Sequence, residues 1–158
     1  MKKFALFLSV ASVLFTNNLA LAGEHGAKCL HIESGKMKGC IVIVSTRENT
    51  FKMSFRSDKY ENDNLRLRSH KIIEISSGEH AQKRTKETIG ASLVLGPLGA
   101  LVGLFGKEKR TQFAVEYVDT QNQTNIALID IKTKDSEALI QDLESLTGLK
   151  IRTTENPQ

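Results

Sequence analysis

The 158-residue chain carries 22 basic and 18 acidic side chains, a formal charge of only +4. Two of the basic residues, Lys2 and Lys3, belong to an N-terminal leader, and the near balance that remains excludes a dedicated nucleic-acid binder. The rest is the length of one modest domain, and its histidines lack zinc-ligand spacing, so neither a metal nor another cofactor is expected.

Met1-Lys2-Lys3 is a short basic start, residues 4–15 are almost wholly apolar, and Ala20-Leu21-Ala22 fits the small-x-small cleavage rule. Residues 1–22 therefore read as a secretory signal peptide of the bacterial Sec kind, cut after Ala22. The apolar run is short for a spanning helix of ~20 residues. No acidic residue precedes Glu24, and no cysteine stands at the first mature position, which argues against a lipoprotein. The expected location is the bacterial periplasm or the periplasmic face of a membrane.

Cys29 and Cys40 are the two cysteines of the chain. In an exported protein an even pair is most simply a disulfide. The stretch between them turns at Ser34-Gly35, which suits a closed hairpin or small loop. A redox or metal pair would favour closer spacing, as in C-x-x-C.

From Cys40 the chain reads mainly as strands. CIVIV (residues 40–44) is strongly β-forming, residues 45–49 are a polar turn, and Phe51, Met53 and Phe55 alternate with polar neighbours. A polar loop over 57–64 leads to Leu65 and Leu67, alternating with Arg66 and Arg68, and then to Ile72, Ile73 and Ile75 ahead of Ser76-Ser77-Gly78. Further on, Phe113, Val115 and Tyr117 mark one strand of a hairpin, residues 119–125 its turn, and Ile126, Leu128 and Ile129 the return strand.

Between these two sets of strands lies residues 89–105, IGASLVLGPLGALVGLF, uncharged throughout. Lys83, Arg84 and Lys86 precede it, and Lys107, Lys109 and Arg110 follow it. Gly96, Gly99, Gly103 and Gly106 would line one face of a helix, with Gly99-x-x-x-Gly103 permitting close backbone approach. Seventeen residues of straight helix span only about 25 Å at 1.5 Å per residue, against ~30 Å of hydrocarbon. Pro97 also disfavours a helical Gly96. A re-entrant or interfacial hairpin turning at Gly96-Pro97 fits better. Leu93, Val94, Leu95, Gly96, Pro97, Leu98, Gly99, Leu101, Val102, Gly103, Leu104 and Phe105 are then the candidate membrane or self-association residues. Lys83, Arg84, Lys86, Lys107, Lys109 and Arg110 are the candidate headgroup contacts, each adding ~1 kcal/mol beside anionic lipid. The competing reading folds the same hairpin onto the domain or between subunits.

Residues 136–147 form an amphipathic helix, with Leu139, Leu143 and Leu146 on one face and Ile140 beside them. Thr133 or Asp135 is positioned to cap its start and Gly148 its end, after which Leu149 and Ile151 can pack back beneath it. The pattern is mainly β within an α+β chain. It describes a strongly bent antiparallel sheet, or a partly open barrel, capped by one C-terminal helix and carrying a glycine-rich apolar hairpin insert. Residues 23–152 make one domain, with the insert at 88–106 and a disordered tail at 153–158.

This order of elements resembles the small bacterial PH-like or GRAM-like domains, some of which carry a glycine-rich apolar insert before a basic run and a Phe-x-Val-x-Tyr hairpin. The matching pieces are residues 71–76, 89–105, 107–110, 113–117 and 139–149, spread over most of 40–151. The resemblance implies a partly open β-barrel plugged by a C-terminal helix, and binding of lipids or proteins. The leader and the Cys29–Cys40 region depart from it, so no ligand-binding residue is carried over.

Catalytic motifs do not emerge. LVGLFGKE (residues 101–108) imitates the end of a phosphate-binding loop, but Leu101 replaces its first glycine and Glu108 its hydroxyl. Asp58, Glu61 and Asp63 lack the glycine and terminal glutamate of a calcium loop. The expectation is a non-enzymatic envelope protein, a peripheral membrane-associated binding or scaffold module. The alternative is a soluble periplasmic protein that homo-oligomerises through the glycine-rich hairpin.

Overall fold

The computed structural model describes residues 22–89 and 109–153. The leader, the tail beyond Thr153, Lys107 and the apolar residues Leu93 to Phe105 lie outside the described residues. Among the described residues there are seven strands: β1 (Gly23–His31), β2 (Lys36–Ser45), β3 (Thr50–Phe55), β4 (Leu65–Arg68), β5 (Ile72–Ser77), β6 (Arg110–Val118) and β7 (Thr124–Lys132). Helix α1 (Glu79–Ile89) follows β5, and helix α2 (Thr133–Thr147) follows β7.

All strands join one antiparallel sheet in the order β4-β3-β2-β1-β7-β6-β5. Two meanders, β1–β4 and β5–β7, meet where β1 pairs β7 at Lys28–Asp130 and Cys29–Ile129. The sheet is not closed into a barrel: β4 and β5 are its two edges. The edge at β5 is covered by the end of the chain, where Ser77 N–H donates to Arg152 O (2.8 Å) and Arg152 N–H donates to Ile75 O (3.0 Å). Such a cap blunts an edge that would otherwise offer its backbone groups to another strand.

Strand alternation assigns the two faces. Cys29, Val42, Val44, Phe51, Met53, Phe55, Phe113, Val115, Ile129 and Ile131 point to one side and meet Leu139, Leu143 and Leu146 of α2. Each fully buried side chain of this size contributes about 1.5–3 kcal/mol of transfer free energy, so this layer dominates stability. The opposite side holds a smaller cluster of Leu30, Ala114, Ile126 and Leu128 under Ala81 of α1. Ile73 escapes the pattern: a register shift between Ile72 and Glu74 leaves it 46 % exposed.

Two expectations need correction. The chain has a second helix, α1, which takes in residues 88 and 89 of the expected insert. Neither Thr133 nor Asp135 caps α2: the helix begins earlier, with Lys132 at the cap position and no side-chain cap bond. Its far end follows expectation. Gly148 is left-handed (φ 71°), and its N–H closes on Glu144 O at 2.8 Å.

Leu149 and Ile151 fold back onto the core, held by the Glu144 carboxylate, which accepts from Lys150 Nζ (2.7 Å) and Ile151 N–H (3.2 Å). The bond from Lys150, then that from Ile151, holds this carboxyl below the ordinary glutamate value of 4.5. A depressed folded value gives stability that is complete above the unfolded value and lost as pH falls through the folded one. Glu144→Gln should therefore lower the urea midpoint at pH 7 and converge on the parent as the pH falls through the depressed folded value. Parallel urea titrations across that range test it, and an unchanged gap in acid would refute it.

Candidate functional site

The described chain breaks off at Ile89, the end of α1, and resumes at Lys109, so these two points are the described ends that flank the insert. Around the point of return, Lys109, Lys132, Thr133 and Lys134 line a cleft of about 350 Å³. The strand rung Arg110–Lys132 brings the start of β6 beside the end of β7. Thr133 N–H then donates to Lys109 O at 2.9 Å, and the Thr111 and Thr133 hydroxyls share a 3.0 Å hydrogen bond. These bonds fix the first turn of α2 against the root of the insert. That turn carries no side-chain cap, so its positive dipole end adds to the lysines, with Asp135 as the offsetting charge.

Of the six basic residues that flank the insert in sequence, the five that are described do not all face solvent. Lys83 and Lys86 on α1 and Lys109 before β6 are exposed. Arg84 turns the other way. Its Nε and Nη2 grip Glu116 Oε1 and Oε2 at 2.6 and 2.7 Å, and its Nη1 donates to Glu87 at 3.1 Å. Glu116 is 2 % exposed, and its bond to Arg84 raises the guanidinium pKa further. Arg110 likewise serves the fold, through Nε to Asp130 Oδ1 (2.9 Å) and Nη2 to Asp130 O (2.8 Å). Burial pushes the Asp130 carboxyl up, and Arg110 only partly opposes it. Lys107 lies outside the described residues. Lys132 and Lys134, which sequence reasoning passed over, are brought in by topology; the only sequence signal was the Lys-Thr-Lys run between the last strand and the helix.

The Cys29–Cys40 disulfide is formed, with Cα atoms 5.8 Å apart and both residues fully buried. It fits an oxidising compartment.

A hydroxyl–imidazole–carboxylate chain also escaped sequence reading. His31 Nδ1 lies 2.7 Å from Ser34 Oγ, and His31 Nε2 lies 2.8 Å from Asp63 Oδ2. A backbone N–H can only donate, so the 3.2 Å bond from Ser34 N–H makes Nδ1 an acceptor and places the neutral ring's proton on Nε2, toward Asp63. Those are the proton positions of a nucleophile–base pair. The turn, however, uses its own amides: Ser34 N–H on His31 and Gly35 N–H on Ile32 O (3.1 Å). Neither is then left to stabilise an oxyanion. The chain of bonds works as a lock that ties the β1–β2 turn to the 3-10 turn Asp58–Asp63, with Tyr60 and Phe55 packed on the His31 ring.

Among the described residues no group of three or more potential metal ligands occurs, and no helix is long and apolar enough to cross a membrane. No family model and no curated protein matches the chain. Among solved structures it is similar to the hSac2 domain from the human phosphoinositide phosphatase Sac2. That likeness has a TM-score of 0.51 at 11 % identity and covers 83 % of this chain and 73 % of the other. At such identity the two share a fold and nothing more specific.

Proposed function

We propose that this chain is an exported, non-enzymatic, PH-like module that docks on an anionic membrane surface through its apolar insert and the lysines at the insert's root. The observation that carries this reading is the convergence of Lys109, Lys132 and Lys134 on one cleft where residues 90–108 rejoin the fold. A buried segment inside a protein core has no need of cations at its entrance. A segment entering a leaflet does, because headgroup phosphates lie at that depth. Lys83 and Lys86, on the helix α1 that ends where the described chain breaks off, are also exposed. The seven-stranded antiparallel sheet with its C-terminal helix supports the PH-like part of the reading. The disulfide supports the exported part.

Co-sedimentation of the leader-free protein with phosphatidylglycerol-rich and phosphatidylcholine vesicles tests it. The protein should pellet with the anionic vesicles only. The pair Lys109→Glu and Lys134→Glu should weaken that binding on the order of a hundredfold to a thousandfold, since each reversal removes one attraction and adds one repulsion. Binding unaffected by the pair would overturn the assignment. A protein that ignores both vesicles and sediments as an oligomer would establish the self-association reading in its place.

A further inference from the structure

We propose that cleavage after Ala22 creates a structural charge: the α-ammonium group of Gly23 becomes a cationic partner of Asp142, beside the His25 ring. The inference rests on the export half of the proposed function and is independent of membrane docking.

The first strand begins at Gly23, immediately after the small-x-small motif of the leader. Two residues on, on the same face of β1, His25 is 9 % exposed, and its Nε2 lies 2.7 Å from Asp142 Oδ2 on α2. Gly23 is packed into the same contact. A β-carbon built on it would collide with Asp142 Oδ2 and stand 2.7 Å from Asp142 Cγ and 3.0 Å from His25 Nε2. A side chain at this position would have to push the end of the Asp142 side chain aside, so the close packing at Gly23 is set by that carboxylate and not by a turn.

The nitrogen of a residue lies roughly 2.5 Å from its β-carbon position, so the Gly23 nitrogen is within roughly 5 Å of the Asp142 carboxyl carbon. In the precursor that nitrogen is a neutral amide with one proton. After cleavage it is an ammonium with three, beside a carboxylate on a partly buried helix face, where an opposite charge interacts far more strongly than in bulk water. The pair would join the first residue of the mature chain to α2, the helix whose Leu139, Leu143 and Leu146 close the main core. The leader-bearing precursor would lack that tie and fold less stably.

The test compares chains beginning at Gly23 with chains beginning at Asn17, in which the nitrogen of residue 23 is an amide, each with Asp142 and with Asp142→Asn. N-terminal mass analysis of the exported protein comes first. A mature chain starting at Gly23 is expected, and any other start overturns the proposal at the export step. In the Asp142 background the Gly23 start should melt about 2–6 °C higher. In the Asp142→Asn background the two starts should melt together. Equal melting in the Asp142 background, or the same difference in both, would show that the ammonium has no partner in Asp142.

Discussion

Arg84→Met is expected to destabilise the protein by about 3 kcal/mol, enough to be read directly from urea unfolding. Glu116 sits on the α1 face of β6 at 2 % exposure, and both its carboxylate oxygens are held by Arg84 at 2.6 and 2.7 Å. Removing the guanidinium leaves a buried carboxylate without its main counter-charge, and breaking such a pair costs about 3–5 kcal/mol. The low end applies because Arg84 is 37 % exposed, so water partly screens the pair. Adding Glu116→Leu should recover most of the loss, since an apolar pair of similar volume removes the stranded charge. Lys83→Met, one residue away and exposed, should stay within about 0.5 kcal/mol. This contrast decides what the basic run before the insert does. If Arg84→Met kept full stability and lost vesicle binding, Arg84 would be a headgroup contact after all, and the geometry with Glu116 would be incidental.

Lys83 and Arg84 show where the sequence stops being legible. They are neighbours in a basic cluster, but on a helix adjacent residues point about 100° apart. One therefore faces water while the other faces the sheet, and the direction of each depends on α1, which has no strong pattern of its own. Among its described side chains the buried ones are Ala81 and Thr85, too small to give a hydrophobic period, with the Thr85 hydroxyl spent on Ala81 O at 2.7 Å. By contrast, Phe51, Met53 and Phe55 alternate cleanly because one face of β3 meets the core and the other does not. On β6 the large apolar residues Phe113 and Val115 face the main core, while the other face, with Ala114 and Glu116, is buried under α1. The leucine stripe of α2 and the Gly148 stop are legible for the same reason: local pattern and tertiary burial agree. The site is a different matter. Lys109 is 23 positions from Lys132 in the sequence and meets it only because β6 and β7 pair in register. His31 finds Ser34 locally, but Asp63 arrives from another turn. Charge can be read from a single sequence, whereas convergence needs the sheet order.

The sheet order also locates the second large effect. Cys29→Ala with Cys40→Ala is expected to cost about 3 kcal/mol, in line with closing a loop of this length in the unfolded chain. That is a large share of the 5–15 kcal/mol typical of a domain. The loss should not spread evenly. The two meanders β1–β4 and β5–β7 are sewn together by β1 and β7, which pair only at Lys28–Asp130 and Cys29–Ile129. Cys29 is thus both a disulfide partner and half of one of the two seam rungs. The other rung is polar, with Asp130 buried and its carboxyl pushed up by desolvation. β1 is held to β2 along its whole length, so the disulfide adds little to that pairing directly. What it adds is rigidity at the one rung where an apolar residue secures the seam. Hydrogen exchange on the double variant should show amides of residues 28–29 and 129–130 losing protection ahead of those in the middle of the β2–β3 and β6–β7 pairs. If protection fell uniformly, the bridge would be acting on the unfolded chain alone, and the seam would owe its stability to the core beneath α2.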